Sequence, residues 1–209
     1  MARITSPVCR LCRRVGDKLL LKGSRCETPK CAVEKRAQQR PARGGPRRKK
    51  ISDRGLQLKE KQKARYSYGM LERQFRRFFA EAKRQPGITA ANLAVLLERR
   101  LDNVVYRLGF AESRSQARQI VRHGHVILNG RRCDIPSALV KPGDVVSWHE
   151  SSTKNEYYKM VAESIKGKLI PGWLILEQDA MIGRVASAPD LEEMATKFDG
   201  KAIVEFYSK

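Results

Sequence analysis

The sequence predicts an α+β fold, in which a mainly helical first domain with a four-cysteine, metal-bound N-terminal segment accompanies a small α/β module. Three observations indicate this. Two close cysteine pairs lie in the first 31 residues, which otherwise lack the apolar periodicity of a core. Apolar residues recur at helical spacing in several segments between residues 53 and 122. An Asn-Gly pair at 129–130 between apolar, strand-like residues predicts a hairpin. The module should therefore have helices followed by a short, mostly antiparallel sheet.

The charge of the chain is strongly basic and unevenly distributed. Its 209 residues carry 43 Lys and Arg against 22 Asp and Glu, a net charge of +21, of which +19 falls in residues 1–85. Such self-repulsion is tolerable mainly when a polyanion neutralises it, so nucleic acid is the first expected partner and an anionic membrane surface the second. The sequence holds no apolar run of 18 residues, and its first residues lack the apolar core of a secretory signal. We therefore expect a cytoplasmic protein that does not enter a membrane.

The N-terminal cysteines have the spacing of a metal site. Two residues separate Cys9 from Cys12, four separate Cys26 from Cys31, and 13 lie between the pairs. Each short loop can offer two sulfurs to one ion, and four thiolates leave no open position, so the spacing predicts one structural Zn²⁺. An iron–sulfur cluster on the same four cysteines and unligated surface thiols are the alternatives.

The segments that follow are expected to be helical after a basic arm. Residues 38–50 are rich in Arg, Lys, Pro and Gly, which predicts an extended arm, or a disordered basic linker in the free protein. Ser52 or Asp53 can cap a helix that Gly69 interrupts, and a second helix should follow over 71–84. An apolar face then predicts a third, uninterrupted helix from Thr89 nearly to residue 109.

A basic amphipathic helix precedes the predicted hairpin. Ser113 is its expected cap, and Arg114, Arg118 and Arg122 recur every four residues, so they should form one continuous basic row.

Strands are predicted over 126–128, 131–135 and 145–149, and the turn between the first two should bring Arg131 and Arg132 back toward the row. Farther along, the sequence predicts a helix over about 154–165 and a strand over 202–207.

No local enzyme motif is present. The three histidines form no catalytic set, and the chain lacks a Gly-rich phosphate loop, an HExxH motif and a nucleophile elbow. Arg100-Leu101-Asp102 is similar to the acidic motif of pseudouridine synthases, but only 107 residues follow it. We expect Asp102 to pair with a neighbouring arginine instead, and the protein to have no enzymatic activity and no small-molecule substrate.

The run ERRLDNVVYRLGFAESRSQARQIVRHGHVILNGRRCDIPSALVKPGDVVSW, Glu98 to Trp148, closely resembles the RNA-binding module named after bacterial small-subunit ribosomal protein S-four. The segments PVCRLCRR, KCAVEKR, KQKARYSYGMLERQFRRFF and VEFYSK resemble the same family in order, so the resemblance covers the whole chain.

The resemblance implies a fold and a function. It implies a metal-binding arm over 1–50, a helical domain over 51–97 completed by 166–209, and an inserted RNA-binding module over 98–165. It also implies a constituent of the small (30S) subunit that binds 16S rRNA early in assembly at a junction of 5′-domain helices. Contacts with ribosomal protein S-five and other small-subunit proteins, a place at the mRNA entry region and an influence on decoding accuracy belong to the same expectation.

Basic and polar side chains on the arm, the helices and the hairpin are the candidates for RNA contact, because proteins that hold folded RNA mainly touch phosphates, 2′-hydroxyls and unstacked bases. They are Arg43, Arg47, Arg48, Lys49, Lys50, Arg54, Lys59, Lys61, Lys63, Arg65, Arg73, Arg76, Arg114, Arg118, Arg122, His123, His125, Asn129, Arg131 and Arg132. Tyr66 and Tyr68 are expected to pack in the core rather than stack on bases. An RNA-modifying enzyme, a DNA-binding regulator and a membrane-surface protein are the competing classes.

Overall fold

The computed structural model describes residues 4–38, 51–190 and 198–208. The chain divides into two compact units, 1–90 with 196–209 and 91–195, so the second unit is inserted within the first along the sequence. In the described ranges the helices are α1 Cys9–Val15, α2 Ala32–Gln38, α3 Asp53–Ser67, α4 Glu72–Arg84, α5 Thr89–Glu98, α6 Leu101–Arg107, α7 Arg114–Arg122, α8 Glu150–Thr153, α9 Glu156–Ser164 and α10 Gly200–Ser208. None of these helices has the length and apolar character needed to cross a bilayer.

The strands form one antiparallel sheet in the order β2-β1-β3-β5-β4. They are β1 Val126–Leu128, β2 Arg131–Arg132, β3 Val145–Trp148, β4 Leu174–Glu177 and β5 Ile182–Val185. β2 is shorter than the predicted 131–135, whereas β1 and β3 lie within the predicted ranges. The Asn-Gly turn between β1 and β2 has positive φ at both residues, +51° and +77°, which is the backbone that such a hairpin requires.

Local sequence signals place two helices where they were predicted. The Ser52 hydroxyl accepts the Gly55 N–H at 3.3 Å at the start of α3. The Ser113 hydroxyl accepts the Gln116 N–H at 3.3 Å at the start of α7. Each cap satisfies an N–H that has no partner within the helix, so both predictions are confirmed.

The predicted single helix from Thr89 to residue 109 is wrong, because the chain breaks between α5 and α6. Arg100 has an extended backbone, φ −67° and ψ 136°, and forms a bridge with Leu139. The Leu101 N–H donates to the Ala138 carbonyl at 2.8 Å, and the Val140 N–H donates to the Arg99 carbonyl at 2.9 Å. Backbone pairing with this distant segment replaces the hydrogen bonds that a continuous helix would make. The apolar periodicity of residues 89–109 does not reveal this pairing, because the partner segment lies elsewhere in the chain.

The predicted strand over 202–207 is also wrong, because these residues lie in α10. Their β-branched and aromatic composition favours a strand. However, Ile203 is fully buried, and Tyr207, four residues later on the same face, packs on Phe79 with ring centroids 4.5 Å apart. The Asp199 carboxylate also accepts the backbone N–H of Lys201 at 2.8 Å, which caps the first turn. Tertiary packing therefore overrides propensity here.

Residues 166–195 belong to the second unit and not, as expected, to the first domain. The physical reason is strand pairing: β5 pairs with β3, and β4 pairs with β5. Gly183 in β5 lies under Leu108, since a Cβ at this position would be 2.4 Å from Leu108 Cδ1. The sheet thus packs directly on α6, and its last two strands cannot be separated from the module.

Candidate nucleic-acid interface

The first two arginines of the predicted basic row bind within the protein. Arg114 Nε donates to Asn103 Oδ1 at 2.7 Å, and Arg118 Nη1 lies 3.1 Å from Asp102 Oδ2. Their side chains are only 21% and 15% exposed. These two residues of the basic row are therefore largely buried and anchor α7 to α6.

Behind them lies a network of buried charges. Arg100 is fully buried and holds Asp102 through two bonds of 3.0 and 2.6 Å. Glu98, also fully buried, accepts two bonds of 2.9 Å from Arg107 and one of 2.8 Å from Asn103. The prediction that Asp102 pairs with a neighbouring arginine is confirmed. Because buried carboxylates are stable only when paired, these arginines serve the fold.

One group of exposed cations in the second unit lies where α7 meets the hairpin. Arg122 has a side chain 51% exposed and a single surface pair with Asp134 at 2.9 Å. Arg131 and Arg132 are exposed, and an Arg132 nitrogen donates to the His123 carbonyl at 3.2 Å. The hairpin does return toward the end of α7, as predicted.

Gly124 makes this approach possible. Its φ is +73°, and a Cβ there would lie 2.2 Å from Arg132 Nε. Glycine provides both the left-handed backbone that ends α7 and the space in which the guanidinium lies.

Two other candidates in this region have structural partners. Asn129 Nδ2 donates to Asp144 at 2.8 Å, and its Oδ1 accepts the Val145 N–H at 2.8 Å, so the side chain fixes the turn. His125 Nδ1 lies 2.8 Å from the Ser152 hydroxyl. Burial, assisted by the positive charges of nearby residues including His123 and Arg132, lowers the pKa of His125. His125 is therefore uncharged at neutral pH and adds no cation to the surface.

In the first unit, Arg54, Lys61, Arg65 and Arg76 line one open cleft of about 530 Å³ together with Glu72, Phe206 and Tyr207. Glu72 at its centre pairs with Lys61 at 2.8 Å and with Arg65 at 3.5 Å. Lys61 is also 4.7 Å from the centre of the Phe206 ring and is 5% exposed, so it is part of the core.

The remaining first-unit candidates divide by exposure. Lys63 is paired with Asp17 at 2.6 Å and with Glu60 at 2.7 Å, and its side chain is 15% exposed. Lys59 is half-buried. Arg54, Arg73 and Arg76 are exposed. Residues 43–50, with five further candidates, lie outside the described residues. Tyr66 and Tyr68 are 3% and 5% exposed, which confirms that they pack in the core.

Sequence reasoning missed exposed cations around the cysteine segment. On α1, Leu11, Cys12 and Val15 are buried, which leaves the arginines between them outside. The amphipathic spacing of this short helix was the available signal. The residues missed are Arg10, Arg13, Arg14, Lys22, Arg25, Lys30 and Lys35.

The four N-terminal cysteines lie in one neighbourhood. Cys12, Cys26 and Cys31 are buried and Cys9 is half-buried. Burial raises the pKa of Cys12, and the charges of Cys26, Cys9 and Cys31 raise it further, so these three sulfurs lie near that of Cys12. Cys26 Sγ accepts the Lys22 N–H at 3.4 Å. The donor chemistry suits a soft metal, but in the part of the chain described here no three His, Cys, Asp or Glu side chains are arranged to hold an ion.

The fold and its exposed arginines define a basic RNA-binding protein that contains an S4 domain, since the family model "S4 domain" matches residues 99–146. The model "Ribosomal protein S4/S9 N-terminal domain" matches residues 3–98. Over the whole of both chains, the sequence is 53% identical to small ribosomal subunit protein uS4 of Dehalococcoides mccartyi, 54% to that of Pelotomaculum thermopropionicum and 53% to that of Heliobacterium modesticaldum. The chain belongs to this family of ribosomal proteins, and the resemblance stated from its motifs is confirmed.

Proposed function

We propose that the protein is a structural, non-enzymatic constituent of the small (30S) ribosomal subunit in the cytoplasm. In this role it binds 16S rRNA directly and early, and holds a junction of 5′-domain helices. The observation that carries this proposal is the match to uS4 over the full length of the relatives. Exposed cations on each of the two units support it, because two such surfaces can contact separate RNA helices.

Exposure and internal partners together divide the candidate residues into contacts and supports. The proposed contacts in the described residues are Arg54, Lys59, Arg73, Arg76, Arg122, His123, Arg131 and Arg132, and outside them Arg43, Arg47, Arg48, Lys49 and Lys50. The proposed supports, whose partners are internal, are Lys61, Lys63, Arg65, Arg114, Arg118, His125 and Asn129. Contacts of this kind bind phosphates and set position and affinity, while the supports hold the contacting side chains in place.

A charge-matched pair of double variants tests this division. Arg73→Gln with Arg76→Gln removes two exposed charges from α4, and Lys159→Gln with Lys166→Gln removes two exposed charges outside the proposed contacts. We expect only the first pair to weaken binding to a 5′-domain fragment of 16S rRNA, and to reduce the slope of log affinity against log salt by about 0.7–0.9 per lost contact. Equal losses in both proteins would mean that net charge alone governs binding, and would refute the assigned surface.

Family membership also supports a wider role in the subunit. We propose contacts with ribosomal protein S-five and other small-subunit proteins, a place near the mRNA entry region and a contribution to translational accuracy. Co-sedimentation with small subunits followed by crosslinking tests this part. Crosslinks to rRNA and to neighbouring proteins are expected, and a protein that stays at the top of the gradient would refute the subunit assignment.

We further propose that Cys9, Cys12, Cys26 and Cys31 hold one structural Zn²⁺. Support comes from their spacing, from the burial of three of them and from the proximity of the other three sulfurs to that of Cys12. A metal would supply a crosslink between α1 and the segment that leads into α2, where the apolar cluster is small.

Metal analysis of the full chain, purified without air, tests the site. We expect about one zinc per chain, lost in Cys26→Ser and retained in Cys133→Ser, whose thiol lies outside the set. Iron with sulfide in place of zinc would favour the cluster on the same ligands. A chain with neither metal would refute the site.

A further inference from the structure

A pocket of about 260 Å³ in the second unit shares only His123 with the contacts proposed so far. It lies between the end of α7, strand β3 and the start of α9, and its walls include Gln119, His123, Trp148, Asn155, Tyr157 and Tyr158. The residues that line it include three aromatic rings, two imidazoles and three side-chain amides, and among them there is no carboxylate. This composition suits a planar, uncharged group with polar edges.

Trp148 forms part of the wall of this pocket. The residue is 8% exposed, and its Nε1–H is buried without an acceptor among the described residues. Its ring is fixed by Phe110 and by Tyr158, each with a centroid distance of 5.5 Å, the second in a perpendicular arrangement. The indole is thus a flat surface held in place, on which a planar group can pack.

The size and rigidity of the pocket limit what it can take. Pockets for drug-sized ligands measure about 300–1,000 Å³, so this one suits a single planar ring system. The Tyr157 hydroxyl donates to the Phe110 carbonyl at 2.9 Å, and burial raises the pKa of Tyr157 to about 12. The ring is thus neutral and held in place, which reduces the entropy lost when a flat ligand stacks near it.

Positive charge lies at the rim of the pocket. His123 lines the pocket. Its backbone carbonyl accepts a hydrogen bond from the Arg132 guanidinium at 3.2 Å. Arg122 is the preceding residue and is about half exposed. A base that enters the pocket would therefore bring its backbone phosphate toward the Arg132 guanidinium, a group that binds phosphate well.

We infer that this pocket receives one unstacked base of the bound RNA, which packs against the aromatic rings that line it. The inference rests on the proposed function, since the base belongs to the RNA that the protein holds. Unstacked bases in RNA are commonly recognised by stacking on Tyr, Trp and His and by hydrogen bonds at their edges. Gln119 and Asn155 supply amides for edge contacts.

The two tryptophans of the chain, Trp148 and Trp173, allow a direct test in the full-length protein. In Trp173→Phe the fluorescence reports on Trp148 alone, and in Trp148→Phe it reports on Trp173, which is 2% exposed in the core. Each protein is titrated with a 5′-domain fragment of 16S rRNA, while a dye on the RNA reports binding independently. We expect RNA to quench Trp148 strongly and Trp173 little. Binding with unchanged Trp148 emission would overturn the inference while leaving the proposed function intact.

Affinity provides a second readout. Tyr158→Leu removes a half-buried ring of the pocket, and Met160→Ala truncates an exposed side chain on the same helix outside it. Because a stacked base contributes about 5- to 150-fold in affinity, we expect a loss in that range for Tyr158→Leu and none for Met160→Ala, with circular dichroism checking that both fold. Equal affinity of the two variants would overturn the inference.

Two further outcomes separate the possible causes. Quenching of Trp148 in assembled subunits but not with RNA alone would overturn the nucleobase assignment in favour of a side chain from another protein. Absence of RNA binding by the unmutated chain would refute the proposed function, and the base pocket with it.

Discussion

Two arginines one turn apart on α7 should respond differently to the same substitution. Arg118 contacts the buried Asp102 at 3.1 Å, with side chains 15% and 5% exposed, whereas Arg122 pairs with Asp134 at 2.9 Å, with side chains 51% and 57% exposed. Replacing each by Met keeps much of the aliphatic volume and removes the charge. We expect Arg118→Met to destabilise the fold and Arg122→Met to weaken RNA binding.

The magnitudes follow from these environments. At an effective dielectric constant of about 20, two charges at this separation attract by about 5 kcal/mol before the cost of desolvation, and a hydrogen bond to a charged group contributes about 1.5–3 kcal/mol net. Asp102 keeps Arg100 as a partner, so Arg118→Met should reduce the free energy of unfolding by about 2 kcal/mol. Solvent screens the exposed pair, so Arg122→Met should cost less than about 1 kcal/mol.

Urea unfolding and RNA titration of the same preparations measure both effects. Arg122→Met should unfold nearly like the unmutated protein but bind the 5′-domain fragment of 16S rRNA with lower affinity and a salt slope smaller by about 0.7–0.9. Arg118→Met should keep most of its affinity for the RNA when it is measured at urea concentrations below the lowered midpoint, where the variant is still folded. If the two variants lose equal affinity while equally folded, the distinction between contacts and supports is refuted.

Two other substitutions test local features. Gly124→Ala should reduce the free energy of unfolding by about 1 kcal/mol or more, because φ is +73° and the new Cβ must displace the Arg132 guanidinium. A free energy of unfolding equal to that of the unmutated chain would contradict this. Burial by itself would raise the pKa of Glu72, but hydrogen bonds from Lys61 and Tyr207 outweigh it and hold that pKa below its ordinary value. The resulting stabilisation is present above the unfolded-state pKa of about 4.3 and is lost as the pH falls through the lower folded value, so Glu72→Gln should destabilise at pH 7 and converge with the unmutated protein in acid. A difference that stays constant across this pH range would contradict that coupling.

Local signals in the sequence identified much of the architecture. Caps at Ser52 and Ser113 and the Asn-Gly turn depend on interactions between residues close in the chain, so they can be predicted from it. The break at Arg100 and the helix over 202–207 depend on distant partners, and both were predicted wrongly.

The site shows the same limit. The four-residue spacing of Arg114, Arg118 and Arg122 correctly places them on one side of a helix, but it does not reveal which of them faces a buried carboxylate. Glu98 in α5 and Asp102 in α6 come from other elements, and only tertiary packing brings them to the first two arginines. Exposure, rather than composition, therefore identifies the arginines available to RNA.

The salt dependence of RNA binding tests the central claim most directly. Six exposed arginines in the described residues are proposed contacts, namely Arg54, Arg73, Arg76, Arg122, Arg131 and Arg132. If each neutralises one phosphate, log affinity of the full chain for a 5′-domain fragment of 16S rRNA should fall against log salt with a slope of about −4 or steeper. A nearly flat response would contradict a phosphate-binding surface and the function proposed from it.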